Sequence, residues 1–163
     1  VLSARLNARM NGVRVDARRG ALFGPVAGER FDLVLANPPY VPAPTDELPR
    51  RGPSRAWDAG RSGRLVLDEI LAEAPRHLDE GGVLLLVHSS VCGTEATLEG
   101  LRAGGLAADV AERRRGPLGP LMRARAAQLE AQGMLAPGER HEDVVIVRGR
   151  RPRAGVTIAP FHG

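Results

Sequence analysis

The residues best suited to chemistry are Asn37, Pro38, Pro39 and Tyr40, which end the apolar run Phe31-Asp32-Leu33-Val34-Leu35-Ala36. An amide nitrogen is a poor nucleophile because its lone pair is delocalised into the carbonyl. To attack a sulfonium methyl in line, it must present its π face to that carbon, held by acceptors that take both N–H hydrogens. Asn37 supplies a side-chain carbonyl oxygen and Pro38 a backbone carbonyl. Each proline fixes its own φ near about −65° and pushes the preceding residue into an extended conformation. Neither offers an N–H to compete for the acceptors. Tyr40 offers a flat face against the planar group. Positioning of this kind lowers a barrier by about 7–11 kcal/mol in favourable cases, so no strong base is required. Asn and Pro are also ordinary turn residues, and alone the tetrapeptide divides evenly between turn and site. The strand directly before it favours the site.

The remaining elements set where that corner lies. Val1 to Asn11 reads as a helix with Val1, Leu2, Leu6 and Met10 on one stripe, stopped by Asn11-Gly12. Val13 to Ala17 alternates like a short strand, and Arg18 to Arg30 is a glycine-punctuated loop. Val41 to Arg61 is a long loop without periodicity, the kind that often binds or covers a ligand. Gly63 to Leu78 predicts a helix burying Leu67, Ile70, Leu71, Ala74 and Leu78, kinked by Pro75. After a turn at Glu80-Gly81-Gly82, Val83 to Val87 is apolar throughout, as in a strand covered on both faces. Thr94 to Ala103 predicts a helix, Leu106 to Glu112 a strand, Leu118 to Gln132 a helix and Asp143 to Arg148 a strand. The alternation predicts an α/β fold with a mostly parallel sheet, its late strand–helix–strand segment closing antiparallel at the edge. Ligands in such sheets bind beyond the carboxyl ends of the strands, where Asn37 falls.

Hydrophobic residues make up 43% of the 163 and charged residues 26%, ordinary for a globular protein. No apolar run approaches the length of about 18 residues that spans a bilayer, and no charged-then-apolar leader opens the sequence. The single Cys92 excludes an internal disulfide and a cysteine-based zinc site, and the expected location is the cytoplasm. All 23 positive residues are arginine. Residues 1–100 carry 12 of them against 13 acids, and residues 101–163 carry 11 against 6. A basic last third could face nucleic acid or the ribosome. Loss of every lysine beside abundant Ala, Gly and Pro points more strongly to coding bias.

With Asn37-Pro38-Pro39-Tyr40 as its motif, the sequence resembles class I S-adenosylmethionine-dependent methyltransferases, and within them the HemK family of protein-glutamine N5-methyltransferases. The supporting stretches are 56–64 (AWDAGRSGR), 74–78 (APRHL) and 81–87 (GGVLLLV). The resemblance implies a Rossmann-like fold, S-adenosylmethionine as cofactor and a peptide release factor as substrate. Asn37 and Pro38 would then bind the glutamine amide, Tyr40 would pack on it, and Ala21, Leu22 and Asn37 would lie against the cofactor. The family's glycine-rich cofactor loop and ribose-binding acid have no counterpart before Asn37. Its Asp after the glycine near the adenine is Ala21 here, and its Gly-Gly-x-Asp-Gly appears as Ala59-Gly60-Arg61-Ser62-Gly63. The family sheet order is 3-2-1-4-5-7-6, and strands one and two are absent. The expectation is the carboxyl-terminal part of a longer methyltransferase, residues 1–150, with a basic flexible tail over 151–163. Such a piece is inactive alone and must pair Val13–Ala17 with Phe31–Ala36 directly, or take its missing strands from a second copy or another chain.

The other candidates read more plainly. Trp57, the only tryptophan, covers either the substrate or the core beneath it. His88 and Cys92 follow an apolar strand but lack a third orienting group, so packing is expected rather than a nucleophile pair. His141-Glu142-Asp143 reads as solvated, and no metal is expected. Arg113 to Arg115 and the arginines from Arg148 to Arg153 read as charged surface able to meet RNA or a release factor. The alternative functions are methylation of an adenine or guanine amine, which shares the Asn-Pro-Pro-aromatic solution, and a non-catalytic binding domain. Base flippers stack their target on aromatic groups, and only five aromatic residues are present.

Overall fold

In the computed structural model, which describes residues 1–154, helices and strands alternate. The order is α1 (Leu2–Met10), β1 (Phe31–Ala36), α2 (Leu65–Glu73), β2 (Leu78–Ser89), α3 (Thr94–Ala103), β3 (Ala107–Pro117), α4 (Pro120–Ala124), α5 (Ala126–Ala131) and β4 (His141–Arg150). The sheet order is β1-β2-β4-β3. β1 and β2 are parallel, and β4 lies antiparallel to both β2 and β3. These four strands reproduce the last four of the order that the resemblance implied, 4-5-7-6. The α/β expectation holds. The antiparallel closure takes in both late strands, so one of the three strand pairs is parallel.

The stripe Leu67, Ile70, Leu71, Ala74 and Leu78 is buried, no member more than 5% exposed. Proline lacks the N–H for another α-helical turn, so α2 gives way to a 3-10 turn over Ala74–Arg76 around Pro75. Leu78 already belongs to β2, not to the helix. The glycines form no separate turn either: they take up a register jump between Phe31↔Leu78 and Leu33↔Val83. A side chain at Gly82 would put its Cβ 2.8 Å from the Phe31 carbonyl, so only glycine allows β1 and β2 to approach there. Two apolar cores result. The larger joins α2, α3 and the inner sheet face through Leu67, Leu84, Leu86, Leu101, Val145 and Val147. The smaller joins Val41 to Leu118, Met122, Ala126, Leu129 and Leu135.

Several expectations fail for physical reasons. Val13–Ala17 forms no strand: among the described residues β1 pairs only with β2, and its outer edge is left open rather than paired with this stretch. Val13 and Val15 stay exposed. α1 forms, but Leu2, Leu6 and Met10 face solvent. β2 is covered on one face: Leu84 and Leu86 are fully buried, whereas Val83, Leu85 and Val87 are half-buried. On β1, Leu33 and Leu35 are 53% and 69% exposed. The helix expected over 118–132 breaks at Arg125 into α4 and α5. The tail expected from Arg151 onward begins tied down, since the Arg151 N–H donates to Gly82 and its carbonyl accepts from Gly81. Its residues 155–163 lie outside the described residues.

Candidate active site

β1 ends at Ala36, and the two prolines that follow cannot extend the ladder, so Asn37 to Tyr40 leave the sheet at its carboxyl end. Asn37 is exposed and Pro38, Pro39 and Tyr40 are half-buried. Among the described residues, neither the Asn37 side-chain amide nor the Pro38 carbonyl has a hydrogen-bond partner. Asn37 and Pro38 line one end of a cavity of about 430 Å³ that runs along β1. Its other walls come from Leu33 and Leu35 of β1, Ile70 of α2, and Leu22, Phe23 and Val26 of the loop before β1. Leu22 lies at φ 44°, a left-handed conformation uncommon outside glycine, and lines the cavity. Ala21 does not line it; its carbonyl instead accepts the Gly24 N–H. Phe23 carried no signal in the sequence beyond an apolar residue in a polar loop. It is buried and stacks on His77 with ring centroids 4.5 Å apart, and so fixes that wall.

The far side of the motif is held by contacts the sequence did not announce. The Cys92 thiol donates to the Tyr40 carbonyl at 2.9 Å. Arg64 holds the Cys92 and Gly93 carbonyls at 2.7 and 3.0 Å and the Thr97 hydroxyl at 3.1 Å. Gly63, at φ 71°, passes so near that a Cβ would lie 2.6 Å from the same Tyr40 carbonyl. The Tyr40 ring packs against both cores, and burial, with Glu142 and then Cys92 adding, raises its phenol above the usual tyrosine range. Beyond it, the Val41 N–H donates to the Trp57 carbonyl at 2.7 Å and the Ala59 N–H returns to Val41 at 3.1 Å. Arg125 clamps the loop, donating to the Pro42 carbonyl at 2.6 Å and to Asp58 at 2.7 Å. Trp57 is half-buried against the smaller core, the second of its two expected placements. Within the Ala59–Gly63 stretch, the Arg61 N–H donates to Asp46 at 2.8 Å.

His88 and Cys92 do not act on each other. Burial pushes the Cys92 thiol up to about 12, against the pull of Arg64. Burial also lowers His88, which is fully buried, meets the Ser89 carbonyl through Nδ1 and has no partner at Nε2 among the described residues. Near β4, Glu142 accepts the Gly119 N–H and Asp143 pairs with Arg113. Among the described residues no group of three or more His, Cys, Asp or Glu could hold a metal, and no helix is long and apolar enough to cross a membrane.

No family model matches the chain. Curated relatives do. A putative protein N5-glutamine methyltransferase of Methanocaldococcus jannaschii is 35% identical over 119 residues, 73% of this chain and 60% of the relative. A release factor glutamine methyltransferase of Geobacter sulfurreducens is 38% identical over 88 residues, 51% of this chain and 31% of the relative. A ribosomal protein uL3 glutamine methyltransferase of Bradyrhizobium diazoefficiens is 43% identical over 76 residues, 44% of this chain and 24% of the relative. Over these stretches the chain is similar to protein glutamine methyltransferases. It spans 60% of the length of the first of these glutamine methyltransferases and about a third or less of the other two. Methyltransferases of this kind imply use of S-adenosylmethionine in general. Among solved structures, the E. cuniculi Mtq2–Trm112 complex, described as methylating the termination factor eRF1, aligns over 90% of this chain and 68% of its own, with TM-score 0.49 and 23% identity. A methyltransferase from Pyrococcus furiosus gives TM-score 0.46 and 18% identity.

Proposed function

We propose that this chain carries the acceptor-holding corner of a protein-glutamine N5-methyltransferase whose substrate is a peptide release factor. One observation carries the reading: Asn37 and Pro38 line one end of an apolar cavity at the carboxyl end of β1, and the Asn37 side-chain amide and Pro38 carbonyl have no partner among the described residues. In this reading Asn37 and Pro38 each accept one N–H of the target amide. Pro39 stiffens the turn and Tyr40 backs the planar group. Trp57 holds the loop over the smaller core and meets the protein substrate at its edge.

S-adenosylmethionine, when bound, supplies a methyl carbon on a sulfonium. Leu22 and Asn37 are its contacts from this chain, and the apolar lining suits the flat adenine. No carboxylate lines the cavity, so the described residues supply no partner for the ribose hydroxyls. The chain is therefore expected to bind the cofactor weakly and to need a complement along the free edge of β1, from a second copy or another chain. The same reading expects a cytoplasmic protein that works close to the ribosome.

The test is methyl transfer from labelled S-adenosylmethionine, in parallel, to a release factor, to tRNA and to DNA. Label on the glutamine of the release factor supports the reading. Label confined to nucleic acid supports the base-methylating alternative and overturns it.

A further inference from the structure

A second concavity, of about 530 Å³, opens at the end of the sheet opposite Asn37, between the turn Ala74–Arg76, the Gly104-Gly105 exit of α3 and the chain leaving β4. Arg30 reaches it from the start of β1, Arg76 from just before β2, and Arg151 from the end of β4. No carboxylate lines it.

The three guanidiniums are not equivalent. Arg151 is fixed, its Nη1 donating to the carbonyls of Pro75 at 3.2 Å and Leu78 at 2.8 Å. Arg30 and Arg76 are exposed and, among the described residues, have no acid within ion-pair distance. The arginines of the β3–β4 edge differ: Arg113, Arg114, Arg115 and Arg148 are paired with Asp143, Glu112, Glu139 and Asp109. Those four are thus neutralised locally, and this cluster is not. The carboxyl ends of α2 and α3 point nearby and bring roughly half a negative charge each. Three guanidiniums outweigh them. Glu73, Asp79 and Glu80 are close in sequence but line none of the wall, and Glu80 accepts the Ala154 N–H.

We propose that this concavity binds a phosphate-bearing anion, with Arg151 as the fixed donor and Arg30 and Arg76 as the two that close on it. The guanidinium fork matches phosphate oxygens two at a time. The phosphate comes either from a small soluble compound or from a nucleic-acid backbone. Neither this site nor the methyl-transfer reading depends on the other.

Calorimetric titration of the full chain with pyrophosphate, and separately with a short single-stranded RNA at low salt, tests the site. The comparison variants are Arg30→Ala/Arg76→Ala, Arg30→Lys/Arg76→Lys and, as a charge control, Arg113→Ala/Arg114→Ala. Saturable binding of at least one probe is expected, weaker by about tenfold or more in the first variant, partly kept in the lysine variant and unchanged in the control. Binding of pyrophosphate alone assigns a small phosphate compound. RNA binding that pyrophosphate displaces assigns the backbone. Absence of saturable binding at millimolar probe, or equal loss in the control variant, overturns the site. Should the alanine variant fail to fold, full affinity in the lysine variant together with loss in the control has the same effect.

Discussion

The Cys92 thiol donates to the main-chain carbonyl of Tyr40 across 2.9 Å, joining the turn after β2 to the motif after β1. The thiol is thereby committed to structure. Burial pushes it up to about 12, so the thiolate is scarce at neutral pH. The native chain should resist thiol-specific reagents at pH 8 and react fully once unfolded in urea. Labelling of the folded chain at the rate of a free cysteine contradicts this. Cys92→Ala should cost about 1–3 kcal/mol, through a lost buried hydrogen bond and lost packing.

Gly63→Ala attacks the same carbonyl from the other side. A left-handed φ costs a non-glycine residue about 1–3 kcal/mol, and here the new Cβ also meets Tyr40 backbone at 2.6 Å. Gly12, at φ 66°, has nothing within 4 Å of the same atom. In urea titration, Gly63→Ala should therefore lose clearly more stability than Gly12→Ala. Equal losses mean that the contact with Tyr40 is unimportant.

Asn37 has no hydrogen bond to lose on folding among the described residues, so Asn37→Ala should change stability by less than about 0.5 kcal/mol. In protein competent for transfer, it should lower turnover by roughly a hundredfold or more while sparing cofactor affinity, since removing a positioned acceptor acts on the barrier. Near-normal turnover refutes the role given to Asn37.

His88 makes stability depend on pH in a stated direction. Its folded pKa is lowered chiefly by burial, against a raising effect of the Ser89 carbonyl and with a lesser lowering by Arg64. The unfolded imidazole, near about 6.5, then binds its proton first. Stability is full above that value and falls as pH drops from there towards the folded pKa. Urea midpoints at pH 8 and pH 5 should show the drop. His88→Leu should remove much of it at little cost, because Nε2 is buried without a partner. An unchanged pH profile in that variant shows that another group is responsible.

Among the described residues one edge of β1 is unpaired, and the strand carries Leu33 and Leu35 in the open. Edges of this kind recruit other strands. Sedimentation of the chain should show association that rises with concentration and that Leu35→Lys reduces. A strictly monomeric chain at high concentration argues against a free pairing edge.

Much of the site was legible because its signals are local. Asn37-Pro38-Pro39-Tyr40 is contiguous, and proline stereochemistry dictates its shape wherever the strand before it lies. The α2 stripe was legible for the same reason, as a 3.6-residue period with one buried side. Leu22 was named only through resemblance, and it lines the cavity beside Asn37. Signals that need a distant partner failed. Val13–Ala17 alternates like a strand, yet among the described residues it pairs with none, although one edge of β1 is open. The apolar run of β2 read as two-sided burial, which alternation cannot distinguish from one buried face and one half-covered face.

The sequence by itself determined the motif, the α/β alternation and the resemblance to glutamine methyltransferases, because each rests on residue type and short-range spacing. Only the tertiary structure decided that Cys92, Gly63 and Arg64 brace Tyr40, and that Arg125 locks Asp58 from 67 residues away. It also decided which arginines are spent on acids and which three meet in a concavity. Such contacts join positions far apart in the chain, and their energies exist only once the sheet has brought those positions together.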